Sequence, residues 1–344
     1  MDAKLRIGIV ECGHWHSSGY IRGLRAAGEN IVAVSDRNPD AARKKAGDPG
    51  CRVYSDYRAL LETEKPDFVF AFGRHFEMPA IANALVDARI PFCMEKPAGI
   101  HPEDVRALAA RAEAKGVYAV VPFLYRSANW TAEIIRMRAA GELGELAHLY
   151  FRYIAGSSGR YLDWDCGWML DKKQAGGGCA FNLGVHYLDL FNYITRQPVR
   201  KIAASMNNNI SQADVEEASS IILTSETGVI GVVETGYGMP GNGVDSSVSI
   251  VTSRHFMELR AGKFIINGQN GQVREMMADT ASYELFVNRI IAAFKRGQAP
   301  VAGLMDAYET LQLLDRAYRA AGNICHDPLE KNAGGQDNDI ARKS

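Results

Sequence analysis

Leu5-Arg6-Ile7-Gly8-Ile9-Val10-Glu11-Cys12-Gly13-His14-Trp15-His16 is the stretch that decides the fold. Its first half is an apolar run of strand length. Its second half is a glycine-centred turn that opens a helical pattern over Trp15–Ala27. Outward from there, Ile31–Ser35 reads as a strand closing on Asp36, and Phe68–Phe72, Pro91–Met94 and Val117–Val121 read as further strands. Helices are predicted over about 79–88 and over 102–115. Strands apolar on both faces that alternate with helices form a parallel sheet covered on both sides. The first third is therefore expected to be a doubly wound α/β domain of the Rossmann type.

Pro122 marks the expected boundary. Beyond it the spacing predicts a helix over Thr131–Ala140, ended by Gly141, and a strand over Ala147–Ala155. From Ile202 to Ile266 short strands follow one another with turns at Glu226-Thr227-Gly228 and Gly241-Asn242-Gly243, the pattern of an antiparallel or mixed sheet with one packed and one available face. Two amphipathic helices, Tyr283–Arg296 and Leu304–Ala321, complete an α+β second half. The expected division is a dinucleotide-binding domain over 1–122, a substrate and oligomerisation domain over 123–330, and a polar, disordered tail over 331–344. No internal repeat is visible.

Composition narrows the function classes. A chain of 344 residues is long enough for two cores, and 47% apolar with 23% charged residues is the balance of a globular enzyme. A net charge of −1 supplies no basic field, so nucleic acid is not an expected partner. No run reaches membrane-spanning length and the start, MDAKLRIGIV, lacks a signal-peptide layout, so no membrane association and a cytoplasmic location are expected. The six cysteines show no metal-ligand spacing and read as small buried thiols, and no metal is expected. Cys166 and Cys179 flank a candidate site and are the two thiols whose exposure matters.

The turn after the first strand is a weakened phosphate-binding loop. A dinucleotide fold uses glycines there so that backbone can approach the pyrophosphate, and only Gly13 is in place. Glu11 stands at the first glycine position and His16 at the third, so the Glu11 side chain is expected to turn away or to meet sugar hydroxyls. Asp36 lies where an acid binds the adenosine ribose, which favours NAD. Arg37 beside it could take a 2′-phosphate and keeps NADP open.

Two further blocks carry chemistry. Glu95-Lys96-Pro97 follows an apolar strand-like run. Phe181-Asn182-Leu183-Gly184-Val185-His186-Tyr187-Leu188-Asp189 is entered through Gly176-Gly177-Gly178. Asn182 and His186 are four apart and would share a helical face. A strand-end lysine and a helix histidine point to proton transfer beside a bound cofactor.

Together these features resemble the glucose–fructose oxidoreductase / inositol dehydrogenase (Gfo/Idh/MocA) family over nearly the whole chain. The resemblance rests on Val69–Glu95 with its Phe72-Gly73-Arg74-His75 turn and on Glu95-Lys96-Pro97. It rests also on Gly141-Glu142-Leu143-Gly144-Glu145 and on Trp168-Met169-Leu170-Asp171 through Gly176–Asp189. It implies a Rossmann domain followed by an α+β domain with a large open-faced, mostly antiparallel sheet used in homo-oligomers, a dimer or tetramer. It further implies hydride transfer between a nicotinamide cofactor and a sugar or cyclic polyol. The family lysine carries over to Lys96 and its histidine to His186. An aspartate frequent in the family is here Asn182.

On that basis His186 is the expected general base, and Lys96 the group that stabilises the alkoxide. Asn182 is expected to orient substrate or His186, and Asp189 to act as a supporting partner of the same helix. Gly8, Cys12, Gly13, His14, Trp15, Asp36, Arg37, Phe72, Gly73, Arg74, His75, Glu95, Lys96 and Pro97 are expected around the cofactor. Tyr125, Arg126, Arg160, Tyr161, Trp164 and Trp168, with Asn182 and His186, are expected around the substrate, because sugars stack their C–H faces on aromatic rings. Two other outcomes are open on these residues. One is glycoside cleavage through transient sugar oxidation with retained NAD. The other is a non-catalytic sensor of dinucleotide or sugar.

Overall fold

The computed structural model describes residues 4–47, 51–279 and 282–322, so the expected tail lies outside the described residues. The first half alternates β1 (Arg6–Val10), α1 (Ser17–Ala26), β2 (Asn30–Ser35), α2 (Pro39–Ala46), β3 (Arg52–Tyr54), α3 (Tyr57–Glu64), β4 (Phe68–Ala71), α4 (Met78–Asp87), β5 (Phe92–Met94), α5 (Pro102–Ala114) and β6 (Ala119–Val120). The strands form one parallel sheet in the order β3-β2-β1-β4-β5-β6, the doubly wound order whose switch point lies between β1 and β4. β4 and β5 are wholly buried, which is why they read as continuous apolar runs.

Three elements, α2, β3 and α3, have no expectation behind them, the first two for a physical reason. The helix Pro39–Ala46 is mostly polar, and Arg52–Tyr54 is a three-residue edge strand with Arg52 and Val53 exposed, so neither carries an apolar period. The helix Tyr57–Glu64 does carry one, with Tyr57, Leu60 and Leu61 buried, and both helices carry a cap signal. The Asn38 side chain accepts from the backbone N–H of Asp40 and Ala41, and that of Asp56 from Arg58.

The second half contains α6 (Asn129–Ala139), β7 (Leu146–Gly156), the short helices α7 (Arg160–Asp163) and α8 (Lys172–Ala175), and α9 (Val185–Thr195). It continues with β8 (Val199–Asn207), β9 (Ala218–Ser225), β10 (Ile230–Met239), β11 (Asp245–Thr252), β12 (His255–Arg260), β13 (Lys263–Gly268) and β14 (Val273–Met277). It ends with α10 (Tyr283–Lys295) and α11 (Leu304–Ala321). Its eight strands are ordered β14-β13-β12-β11-β7-β10-β9-β8. β7 pairs parallel with β10 and antiparallel with β11, so the sheet is mixed at its centre and antiparallel elsewhere. Along β9, Ile221 and Leu223 are buried while Ile222 between them is exposed, and Ile230 and Phe256 are exposed as well. One face therefore packs and the other is open.

The last two helices do not keep to their own side of Pro122. α10 packs on α1 and sets Phe286, Val287, Ile290 and Ile291 into the cluster built on Ile7, Ile9, Phe68 and Phe70. α11 packs against α5, α9 and β8. Each fully buried Ile, Leu or Phe of these faces contributes about 1.5–3 kcal/mol, and together they tie the two sheets into one body.

Candidate active site

The site lies where the carboxyl ends of β1, β4 and β5 meet the underside of the second sheet. A cleft of about 420 Å³ opens there. Lys96, directly after β5, is 1% exposed at its floor. Its ammonium donates to the Asn182 carbonyl at 2.9 Å and to Asn182 Oδ1. Burial lowers the Lys96 ammonium to about 8, partly opposed by Glu95 beside it.

His186 lines the same cleft from α9. Burial first, then the charge of Lys96, holds its imidazole well below the ordinary value, so it is neutral around pH 7. Its Nδ1 is buried and has no hydrogen-bond partner among the described residues. Phe123 and Tyr125 hold the ring edge-on, with centroids at 6.2 and 5.9 Å. Asn182 is in a single turn of π-helix, Ala180–Gly184, that leads into α9, and not on a regular α-helical face. It nonetheless shares the cleft with His186. Its amide nitrogen donates to Tyr161 Oη at 2.6 Å and Tyr237 Oη at 3.3 Å, which fixes the oxygen on Lys96.

The π-helical turn is anchored by a buried acid. Glu216 accepts from the backbone N–H of Gly178 at 2.8 Å and of Ala180 at 2.9 Å, and from Tyr318 Oη at 2.8 Å. A Cβ at Gly178 would fall 1.9 Å from the Glu216 carbonyl oxygen, a distance no side chain tolerates. Gly178 is therefore what lets the chain enter α9 at the position that presents Asn182 and His186.

On the nucleotide side, Glu11 adopts φ +53°, the backbone that glycine takes without cost, at about 1 kcal/mol for a residue with a Cβ. Its carboxylate turns onto Arg37 at 2.8 Å, and Arg37 also holds Glu77 at 2.6 Å. Burial raises the Glu11 carboxyl against the pull of Arg37. Asp36 accepts from the N–H of Gly13 at 2.6 Å and of Asn38 at 2.8 Å, and a Cβ at Gly13 would lie 2.8 Å from its Oδ2.

The residues at these strand ends fit a dinucleotide. Seven buried side-chain polar atoms make no hydrogen bond among the described residues, and three of them, His14 Nε2, His75 Nε2 and His186 Nδ1, fall between the glycine turn and the cleft. Such a row of unmet polar atoms is what a polar ligand satisfies. His14 stacks on Trp15 at 3.8 Å and on Phe72 at 5.5 Å, while His75 Nδ1 bonds the Ala175 carbonyl at 2.6 Å. Burial lowers His75 to about 3 and His14 well below its usual value, so both are neutral. Gly8 and Cys12 are buried in and just after β1, and Gly73 and Arg74 follow β4, with Arg74 on Gln174 at 2.7 Å.

The aromatic residues expected at the substrate divide. Tyr125, Tyr161, Trp164 and Arg160 line the cleft. Trp168 does not: it packs on His75 at 5.1 Å and near His14 and Trp15, over the nucleotide side. Arg126, expected at the substrate, is a correction, and Asp189 lies with it outside the cleft. The Arg126 guanidinium is buried in a two-pronged pair with Asp189 (2.6 and 2.9 Å) and reaches Asp306 at 2.8 Å. It lines a different cavity, beside α5, α9 and α11. Neither residue lines the cleft, and each is engaged in a buried ion pair instead. Arg126→Ala strands a buried carboxylate, and urea unfolding is expected to show a loss of about 3–5 kcal/mol. A fall in substrate affinity without that loss would restore the substrate role.

Cys166 and Cys179 are buried, and desolvation pushes their thiols up, Cys166 to about 11, which leaves neither as a nucleophile. The sequence reading missed Tyr153 from β7 and Tyr283 from α10, both on the cleft wall. Tyr283 Oη meets His16 Nδ1 at 2.8 Å, and that nitrogen is 3.3 Å from Glu95 Oε1. Tyr20 Oη donates to the other oxygen of Glu95 at 2.8 Å. Only the return of α10 across the first sheet brings Tyr283 there, so no local pattern announces it.

Comparison with known proteins bears on the whole arrangement. Residues 5–123 match an oxidoreductase family with an NAD-binding Rossmann fold, and residues 131–274 match the GFO/IDH/MocA C-terminal domain. Trans-1,2-dihydrobenzene-1,2-diol dehydrogenase of Mus musculus is 25% identical over 66% of this chain and 67% of its own length. D-Apiose dehydrogenase of Paraburkholderia graminis is 26% identical over 67% of this chain and 60% of its own. The fold superposes on an inositol dehydrogenase homologue from Azotobacter vinelandii complexed with NAD+ (TM-score 0.80, 19% identity, covering 93% and 96% of the two chains).

Proposed function

Because the chain belongs to the Gfo/Idh/MocA oxidoreductase family, with an NAD-binding Rossmann domain, we propose that it oxidises a secondary alcohol on a ring, in a sugar, sugar derivative or cyclic polyol, and transfers the hydride to NAD. The observation that carries this reading is the meeting of Lys96 from the first sheet and His186 from α9 in one cleft, next to the row of unmet polar atoms. The activities of the dihydrobenzenediol and apiose dehydrogenases support it.

Asp36, the turn Cys12–His16, Phe72–His75 and Glu95–Pro97 would hold the cofactor. When bound, it supplies the hydride acceptor. The rest of the chemistry belongs to the protein. Neutral His186 takes the hydroxyl proton. Two of the three Lys96 N–H groups are engaged by Asn182, which leaves one for the substrate oxygen as charge builds on it. Asn182 keeps the ammonium in register. Arg37, already answered by Glu11 and Glu77, has no unmatched charge for a 2′-phosphate, and Asp36 repels one. NAD is thus expected to be preferred, and Glu11→Gly combined with Glu77→Gln is expected to narrow the preference, read as the KM ratio for NAD and NADP. The open face of the second sheet, which exposes Ile222, Ile230 and Phe256 among charged side chains, supports a homo-oligomer. No helix among the described residues is long and apolar enough to cross a membrane.

The pH profile tests the assignment of roles. Lys96 is lowered to about 8, so its stabilising charge is present below that pH and is lost above it. His186 is lowered well below 6.5, so it stays able to accept a proton through the neutral range. The kcat/KM for alcohol oxidation is expected to be flat near neutrality and to fall above about pH 8. A rise through pH 8 would instead make Lys96 the base. Asn182→Asp places a carboxylate against Lys96 and is expected to move the alkaline limb upward.

A further inference from the structure

None of the residues lining the cleft is an aspartate or glutamate, yet two cations reach it, Lys96 and Arg160. Arg160 has no carboxylate partner among the described residues. Its guanidinium donates to the Gly156 carbonyl, to the Ser157 carbonyl at 3.2 Å and to Tyr161 Oη at 3.2 Å. It lies over three rings, Tyr161, Trp164 and Tyr237, at 4.8, 5.7 and 5.0 Å. The contrast with Arg126, which has two carboxylates, is direct. Half-buried positive charge without a counter-ion in a low-dielectric cleft attracts an anion.

Part of the hydroxyl-reading capacity of the cleft is taken up within the protein, and what remains on its wall, Asn242 and Tyr153 among it, is uncharged. The Asn182 amide is used by Lys96, Tyr161 and Tyr237, and the hydroxyls of Tyr125 and Tyr187 bond each other at 2.9 Å. Each hydroxyl of a neutral sugar is a donor that needs an acceptor, and a cleft without carboxylates offers only neutral ones. Trp15 and Trp164, stacked at 6.5 Å, supply apolar faces for a ring instead. On the alcohol-oxidising reading above, we infer that the natural substrate is an anionic ring alcohol whose carboxylate pairs with Arg160 while the reacting hydroxyl meets Lys96 and His186. A sugar acid and a carbocyclic hydroxy acid share that chemistry.

The test measures quenching of tryptophan fluorescence in the intact protein with saturating NAD+. The ligands are benzoate and D-glucuronate, each against its neutral counterpart, benzyl alcohol and D-glucose. At least one acid is expected to bind about 10- to 100-fold tighter than its neutral partner, to weaken as salt rises, and to lose the advantage in Arg160→Met. Arg160→Lys, which keeps the charge without the fork, should retain part of it. Benzoate ahead of glucuronate assigns a carbocyclic acid, and the reverse a sugar acid. Neutral ligands binding as tightly as both acids, no binding by either acid, or an advantage that survives in Arg160→Met overturns the inference. Should Arg160→Met fail to fold, the salt dependence of the unmodified protein decides. NADH formation on a panel of ring alcohols separates the two readings. Acid selectivity without any NADH sinks the dehydrogenase, whereas NADH from neutral sugars alone sinks only the anion.

Discussion

His186→Ala is expected to lower kcat for alcohol oxidation by about 10²–10⁴-fold, the range of a positioned general base. The imidazole lines the cleft, its buried Nδ1 has no hydrogen-bond partner and two aromatic rings meet it edge-on, so its removal breaks no hydrogen bond in the resting protein. Folding should therefore survive, and affinity for NAD should be nearly unchanged. Added imidazole, able to enter the space the side chain leaves, is expected to restore part of the rate. Near-normal turnover in this variant would remove His186 from the chemistry.

Lys96→Met should cost about 10²–10³-fold in kcat, the loss seen when one donor to a developing oxyanion is taken away. Methionine nearly matches the volume and removes a buried charge, so stability is expected to rise or hold. The Asn182 carbonyl and Oδ1 lose their donor, which offsets part of that gain. The alkaline limb of the pH profile should disappear with the ammonium. If His186 and Lys96 act on one oxygen, the double variant will be little worse than the poorer single one. Multiplied losses would place them on separate steps.

Much of this architecture was legible in the chain. The buried strands β1, β4 and β5 are apolar on both faces, and the run Leu304–Ala321 shows its helical period without interruption. Lys96 and His186 were legible through the motifs around them. The departures have local causes too. Glu11 at positive φ keeps the backbone of a missing glycine, and its side chain is carried onto Arg37, a pairing that the spacing suggests only in part. The polar helix α2 and the three-residue β3 carried no apolar period to read.

What the sequence determined by itself is periodicity: which segments bury two faces, which bury one, and where a lysine follows a strand. Those properties are set by neighbours within a few residues. Which of two arginines lines the cleft was decided only by the tertiary structure. Arg126 and Arg160 both sit among aromatic residues, yet Arg126 meets Asp189 and Asp306 across the helices and is neutralised, while Arg160 meets carbonyls, a tyrosine hydroxyl and rings. Tyr283 reaches the cleft wall for the same reason, because α10 folds back onto α1. Charge pairing and cleft lining depend on segments far apart along the chain, and their proximity exists only once the two sheets are packed.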